Sequence, residues 1–213
     1  MSDPKTQSAS NTSTIIAYFA CSLCLAFAWH VSIPSGLWIG NLVAGVVGVV
    51  VGSWAILQPQ TLLFTRWKRD VVLGFAVGLA LVLLTQIGSR AIILRIPFAR
   101  QELARLYSLL DTPPGPVLAT PILLLVVLAE ELVFRGAVTT ALSRRFSPFK
   151  VAITSTILYT IPLLASGSWL LPFVGLTLGS VWTVLRQRSQ GLTVSLISHT
   201  MWSVVTFVWL PIR

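Results

Sequence analysis

Charged residues are scarce in this chain, and acidic ones most of all. Only 10% of the 213 residues are charged, and the acidic residues number six. Soluble domains typically carry about 25% charged residues. Because 55% of the residues are hydrophobic, the composition excludes an ordinary soluble domain and predicts an integral membrane protein.

Cysteine and histidine are also rare, with two of each. Cys21 and Cys24 lie one turn apart in an apolar stretch without a nearby acid or histidine, which favours packing over a metal or redox role. His30 lies beside Trp29, as expected of a residue at the membrane interface. Since no HExxH sequence occurs, neither a metal site nor a cofactor is expected.

Long apolar runs are what the chain does contain. Seven of them approach the roughly 20 residues that span the hydrocarbon core: residues 15–33, 37–57, 71–94, 117–142, 151–165, 169–185 and 192–210. The fifth and sixth are short and close together, so they are predicted to form a tight helical hairpin. The predicted fold class is all-α, a polytopic membrane bundle of about seven transmembrane helices.

The net charge of +9 is divided unevenly between alternate loops. One predicted face carries Lys5, Arg66, Lys68, Arg69, Arg144, Arg145, Lys150, Arg186 and Arg188. The other face carries Arg95, Arg100, Arg105 and Arg213, partly offset by Glu102 and Asp111. By the positive-inside rule, the N-terminus is predicted to be cytoplasmic and the C-terminus external, in a multi-pass protein of the cell membrane. The predicted partner of the basic face is anionic lipid in the bilayer, not nucleic acid.

The predicted organisation is a single transmembrane domain over residues 14–213, after a polar, disordered cytoplasmic tail at residues 1–13. GxxxG pairs predict close helix packing; they are Gly48/Gly52, Gly74/Gly78 and Gly175/Gly179. Residues 95–115 are predicted to include an amphipathic helix in the outer interface, ending at the Asp111–Gly115 turn.

Two apolar segments contain ionisable residues that a bilayer disfavours by roughly 2.5–3.5 kcal/mol each. Glu130, Glu131 and Arg135 lie in one segment, and His199 lies in another, four residues before Ser203. On a helix Glu131 and Arg135 are i and i+4 and can pair, which leaves Glu130 unexplained. A desolvated carboxylate near an imidazole could activate water and stabilise an oxyanion. The alternatives are an ionic cluster that only joins helices and a histidine satisfied by its own helix.

The chain resembles the CPBP family, also called ABI, in three features: the order Glu130-Glu131-xxx-Arg135, the Gly175/Gly179 pair and His199. These are the CAAX-protease and bacteriocin-processing intramembrane glutamic endopeptidases. The resemblance covers residues 117–207 and implies a catalytic core there. It implies that Glu130 activates water, that Glu131 and Arg135 support it, and that His199 stabilises the oxyanion.

Two positions depart from the family pattern. Ser203 stands where the family has an Asn that shares the oxyanion role. Leu163 stands where the family's Phe-x-x-x-His motif has its His, so Tyr159 or Thr160 would have to substitute for it.

The leading hypothesis is an endopeptidase that cleaves a membrane-anchored or lipidated protein, as in CAAX-type or C-terminal sorting-signal processing. The alternative is a catalytically inactive CPBP homologue that acts as a membrane binding or chaperone protein. A proton-coupled transporter ranks last, because the sequence shows no duplicated halves. An intramembrane serine protease is weakly supported, since no Gly-x-Ser-x-Gly sequence accompanies a base. Neither the exact substrate nor the oligomeric state follows from the sequence.

Overall fold

The computed structural model describes residues 4–30, 37–57, 67–91, 95–110 and 115–212. Apart from short turns, these residues form helices. The α-helices are α1 (Pro4–His30), α2 (Leu37–Leu57), α3 (Trp67–Ala91), α4 (Pro97–Leu110), α5 (Pro116–Glu130), α6 (Thr139–Ser143), α7 (Pro148–Thr160), α8 (Leu170–Ser189) and α9 (Thr193–Val204). A π-helix (Glu131–Val138) joins α5 to α6, a 3-10 helix (Ile161–Ser166) follows α7, and a second π-helix (Val205–Trp209) follows α9.

The predicted all-α, polytopic membrane bundle is confirmed. Five helical segments of the described residues are long and apolar enough to cross a membrane: Thr12–Trp29, Trp38–Ile56, Lys68–Ala91, Pro116–Ser143 and Pro148–Ser166. The sequence predicted about seven spans, and the other two fall on α8 and α9. The last turn of α8 is basic, and α9 has only 12 residues before its π-helix.

The N-terminal part of the chain differs from its prediction in one respect. Helix α1 begins at Pro4, inside the segment that was predicted to be a disordered tail. Further along α1, Cys21 is a fully buried member of the hydrophobic core, which agrees with a packing role. The side chain of His30 and the turn at residues 111–114 lie outside what the structure describes.

Glycines set the distances between the helices, as the GxxxG pairs predicted. A Cβ added to Gly48 would lie 2.6 Å from the Ala129 Cβ atom, so α2 packs tightly on α5. A Cβ on Gly74 would lie 2.8 Å from the Ile197 Cβ atom, so α3 packs equally closely on α9. The backbones approach because no side chain separates them.

The α7–α8 hairpin turns at Gly167, which has a left-handed φ of 66°. Glycine adopts this conformation without the strain that a side chain would add. Beyond the turn, a Cβ on Gly179 would lie 2.7 Å from the Tyr159 ring, which places the Gly175/Gly179 face of α8 directly on α7.

Helix α4 lies across one end of the bundle, as the amphipathic pattern predicted. Its apolar side chains Leu103, Leu106 and Tyr107 are buried. The Glu102 carboxylate accepts a hydrogen bond of 3.2 Å from the Trp169 backbone N–H, which ties α4 to the hairpin turn. At the opposite end, Gln187 donates to the Pro148 carbonyl, which joins the two basic loops that follow α6 and α8.

Candidate functional site

The first π-helix carries two of the site's charged side chains. All eight of its residues, Glu131–Val138, are buried. A π-helix is wider than an α-helix and is found mostly as short segments, frequently at functional sites. Here three outside groups bond its backbone, since the hydroxyls of Thr139 and Ser155 donate to the Phe134 carbonyl and Arg186 Nε donates to the Arg135 carbonyl.

Glu131 and Arg135 form the predicted pair. Arg135 Nε lies 3.6 Å from Glu131 Oε1, and neither side chain is exposed. Arg135 Nη2 also donates to the Gly179 carbonyl at 3.3 Å, which connects the pair to α8. A buried charge is stable only when it is paired and hydrogen-bonded, and each of these two residues neutralises the other.

His199 lies between both glutamates. Its Nδ1 is 3.0 Å from Glu131 Oε1, and its Nε2 is 3.6 Å from Glu130 Oε2. The imidazole is therefore not satisfied within its own helix, and the alternative of an isolated core histidine does not apply. The two apolar segments that contain the ionisable residues therefore meet at this ring.

Tyr159 supplies a further contact to Glu130. Its hydroxyl donates to Glu130 Oε2 at 3.0 Å, and the Arg135 guanidinium lies 4.0 Å from the centre of its ring. Thr160, the other residue considered as a substitute for the family's His, instead donates to the Thr156 carbonyl. Of the two candidates, Tyr159 is the one that reaches the glutamate.

Trp182 was not singled out from the sequence, although it stacks on His199. The two ring centres are 3.6 Å apart and the planes differ by 21°. A signal was present, because Gly175, Gly179 and Trp182 follow the i, i+4, i+7 spacing of one helix face. Only the two glycines of that face were interpreted, so the tryptophan that follows them was missed.

An internal cavity of about 70 Å³ adjoins the ion cluster. Glu130, His199, Ser203 and Leu163 all line it, and the remaining lining is mostly apolar, with four tryptophans. A water needs about 10–15 Å³ of such space, so the cavity has room for several. Ser203 thus shares a chamber with the two groups that it was predicted to assist.

No group of three or more His, Cys, Asp or Glu side chains is placed to hold a metal ion within the described residues. The groups of the cluster contact one another instead, with His199 in the middle. The arrangement can move a proton and stabilise negative charge with protein side chains alone.

Comparison with known proteins gives one match. Residues 113–205 match the family described as type II CAAX prenyl endopeptidase, Rce1-like. No curated protein and no solved structure matches the chain. The matched segment contains every residue of the ion cluster, as well as Tyr159, Trp182 and Ser203. The match covers fewer than half of the 213 residues, and it shows that this segment is similar to that endopeptidase family.

Proposed function

We propose that the chain is an intramembrane endopeptidase of the glutamic type. The observation that supports this most is the environment of Glu130, whose buried carboxylate lines the cavity between the Tyr159 hydroxyl and His199 Nε2. A structural ion pair needs one acid for Arg135, and Glu131 provides it. Glu130 is therefore not needed for that ion pair and is available as the general base.

In the proposed reaction, Glu130 takes a proton from a water in the cavity while the water oxygen attacks the scissile carbonyl. The C–N bond then breaks, and the proton passes from Glu130 to the departing amine. A positioned general base contributes about 10²–10⁴-fold to such a rate. Because the base is held by fixed protein groups in a mostly apolar cavity, its surroundings need little reorganisation during the reaction.

His199 would stabilise the oxyanion. Its Nε2 faces Glu130 at the cavity, where an Nε2–H could donate to the developing oxyanion. Stacking on Trp182 holds the ring in this orientation. The longer contact, from Nε2 to Glu130, is the one that a substrate oxygen could replace. Ser203 would donate from the same wall of the cavity.

Tyr159 would take the place of the family's second-motif His. It stands at the Phe position of that motif, and its hydroxyl reaches Glu130 from α7. Leu163, at the His position, lines the cavity with apolar surface. The tyrosine hydroxyl would then orient the glutamate, which would otherwise lack a partner from α7.

The proposed substrate is a membrane-anchored or lipidated protein, processed near the membrane surface. Its support is the matched family, whose description names CAAX prenyl endopeptidases, together with the apolar lining of the cavity. Apolar side chains of the lining would favour the apolar part of such a substrate while the ion cluster acts on the peptide.

The test is cleavage of a lipidated CAAX-type peptide by the purified chain in liposomes. Glu130→Gln removes the base and is expected to lower kcat at least about a hundredfold. Glu102→Gln, at the hairpin turn outside the cavity, is the matched control and is expected to cleave like the parent. Cleavage by Glu130→Gln at the parent rate would contradict the proposal.

One observation favours a second candidate, an inactive homologue that binds a helix or a lipidated segment. Leu163 and Ser203 both replace family residues that act on the substrate or the water. For this candidate, Glu130→Gln would leave the cellular function intact, and no lipidated peptide would be cleaved by the parent. The cleavage assay therefore separates the two functions.

A further inference from the structure

We propose that a second cavity, at the basic end of the bundle, binds the headgroup of an anionic phospholipid. This cavity has a volume of about 830 Å³ and lies between α6, the start of α7 and the end of α8. It shares no lining residue with the cavity at Glu130. The site is therefore separate from the proposed catalytic one, and it needs no assumption about catalysis.

The charge of this cavity is positive. Among its lining residues are Arg186 and Arg188, and none of the lining residues is acidic. Glu131 is the last acidic residue in the sequence, whereas Arg144, Arg145 and Lys150 all follow it nearby. An anion entering the cavity would therefore meet cationic groups and no opposing carboxylate in the wall.

Arg186 is held in place before any ligand arrives. It is only 8% exposed, although it lines the cavity, and its Nε donates to the Arg135 carbonyl. Its Nη2 donates to the Thr140 hydroxyl at 3.3 Å. A guanidinium fixed in this way loses little side-chain entropy when it binds a phosphate, and its planar fork matches phosphate oxygens. Arg188 is exposed and could close on the anion from the other side.

The rim of the cavity indicates a lipid rather than a soluble phosphate. Phe149 is 75% exposed and Phe146 is 47% exposed, and both line the cavity together with Val184. Exposed apolar rings beside a basic cavity form a surface that can contact the acyl chains of a lipid. A phospholipid can contact both the basic and the apolar residues of this cavity, with its phosphate at the arginines and its acyl chains along the phenylalanines.

The experiment measures lipid binding to the full chain in neutral detergent at about 0.15 M salt, by native mass spectrometry. The probes are phosphatidylglycerol, phosphatidylcholine and inorganic phosphate, each added alone. Arg188→Gln is expected to weaken phosphatidylglycerol binding about tenfold, because it removes a charge-assisted hydrogen bond. Arg145→Gln is the matched control, since it removes the same charge near the same end without lining the cavity. We expect it to change the affinity less than about threefold, given the screening of exposed charges.

A second variant guards against a change in folding. Gln190→Glu keeps the shape of an exposed lining side chain and adds a negative charge, so it is also expected to reduce phosphatidylglycerol binding. Equal binding of the two lipids, or equal losses in Arg145→Gln and Arg188→Gln, would overturn the proposal. Saturable binding of inorganic phosphate that competes with the lipid would overturn its lipid part and assign the cavity to a soluble anion.

Discussion

His199 is held by contacts to three different parts of its ring. Nδ1 faces Glu131, Nε2 faces Glu130, and the ring face stacks on Trp182. Because these partners lie on three other elements, α5, the first π-helix and α8, the ring orientation depends on how those elements pack. The position of the imidazole therefore depends on the packing of the whole site, and its Nε2 faces Glu130, the proposed general base.

Tyr159→Phe tests the proposed substitute for the missing His. It keeps the ring that packs beside Arg135 and removes only the hydroxyl that donates to Glu130. A hydrogen bond to a charged group contributes about 1.5–3 kcal/mol, so kcat is expected to fall roughly ten- to a hundredfold. The measurement is kcat on the lipidated peptide, with Tm as a check on folding.

The matched control for that variant is Tyr107→Phe. Its hydroxyl donates to the Thr206 carbonyl at the far end of the bundle, so its loss is expected to lower Tm slightly and leave kcat unchanged. If both tyrosine variants cleave like the parent, Tyr159 does not orient the base. A Leu163→His change that restores the rate of Tyr159→Phe would support the same role from the other direction.

At the scale of the elements, the α5–π–α6 segment and α8 form the wall that supports the ion cluster. The π-helix turns Glu131 and Arg135 inward, and the glycine face of α8 lets α7 approach closely enough for Tyr159 to reach Glu130. Small residues at this contact are thus a requirement of the site as well as of the fold.

Gly179→Ala tests this contact. The new Cβ would lie 2.7 Å from Tyr159 Cδ1 and 3.4 Å from Arg135 Nη2. Overpacking of this kind costs about 1–3 kcal/mol, so Tm is expected to fall, and kcat with it as the ring is displaced. Gly88→Ala is the control, because nothing lies within 4 Å of its added Cβ, and its Tm is expected to stay or rise. A Tm and a kcat equal to those of the parent in Gly179→Ala would show that the close approach of α8 to α7 is not required.

At the scale of the whole molecule, the connections sort into two ends. Glu102 of α4 accepts from Trp169 at the hairpin turn, and Tyr107 of α4 donates to the Thr206 carbonyl in the second π-helix. Gln86, near the end of α3, donates to the Leu210 carbonyl just after that π-helix, so these elements lie together. The loops after α6 and α8 lie at the opposite end, with the second cavity between them. This agrees with the alternation of loops on which the orientation was predicted. We propose that the end with the second cavity faces the cytoplasm.

Cysteine labelling in intact cells tests that orientation. Arg100→Cys and Arg145→Cys replace exposed residues at opposite ends. A membrane-impermeant maleimide is expected to label Arg100→Cys directly and Arg145→Cys only after permeabilisation, because positive loops stay inside. The parent chain, with Cys21 buried and Cys24 half-buried in α1, serves as the control and gives the labelling of the native cysteines. The reverse labelling pattern would invert the topology and place the lipid site in the outer leaflet.

Much of the site could be predicted from the sequence because ionisable residues in apolar helices are conspicuous. Glu130, Glu131, Arg135 and His199 all stood out for that reason, and the i, i+4 spacing predicted the one ion pair within a single segment. Trp182 did not stand out, since a tryptophan in a membrane helix has many ordinary uses. The roles assigned to these residues stay predictions until the variants are measured.

The sequence by itself determined the membrane class, the all-α bundle and the identity of the charged residues, because each depends on composition or on spacing within one helix. Only the tertiary structure decided which charges meet. His199 lies 68 residues from Glu131 in the chain and 3.0 Å from it in space. The choice of Tyr159 over Thr160, the stacking of Trp182 and the separate basic cavity also follow from how helices rotate and pack. Packing against a neighbouring helix sets that rotation, and no local pattern specifies it.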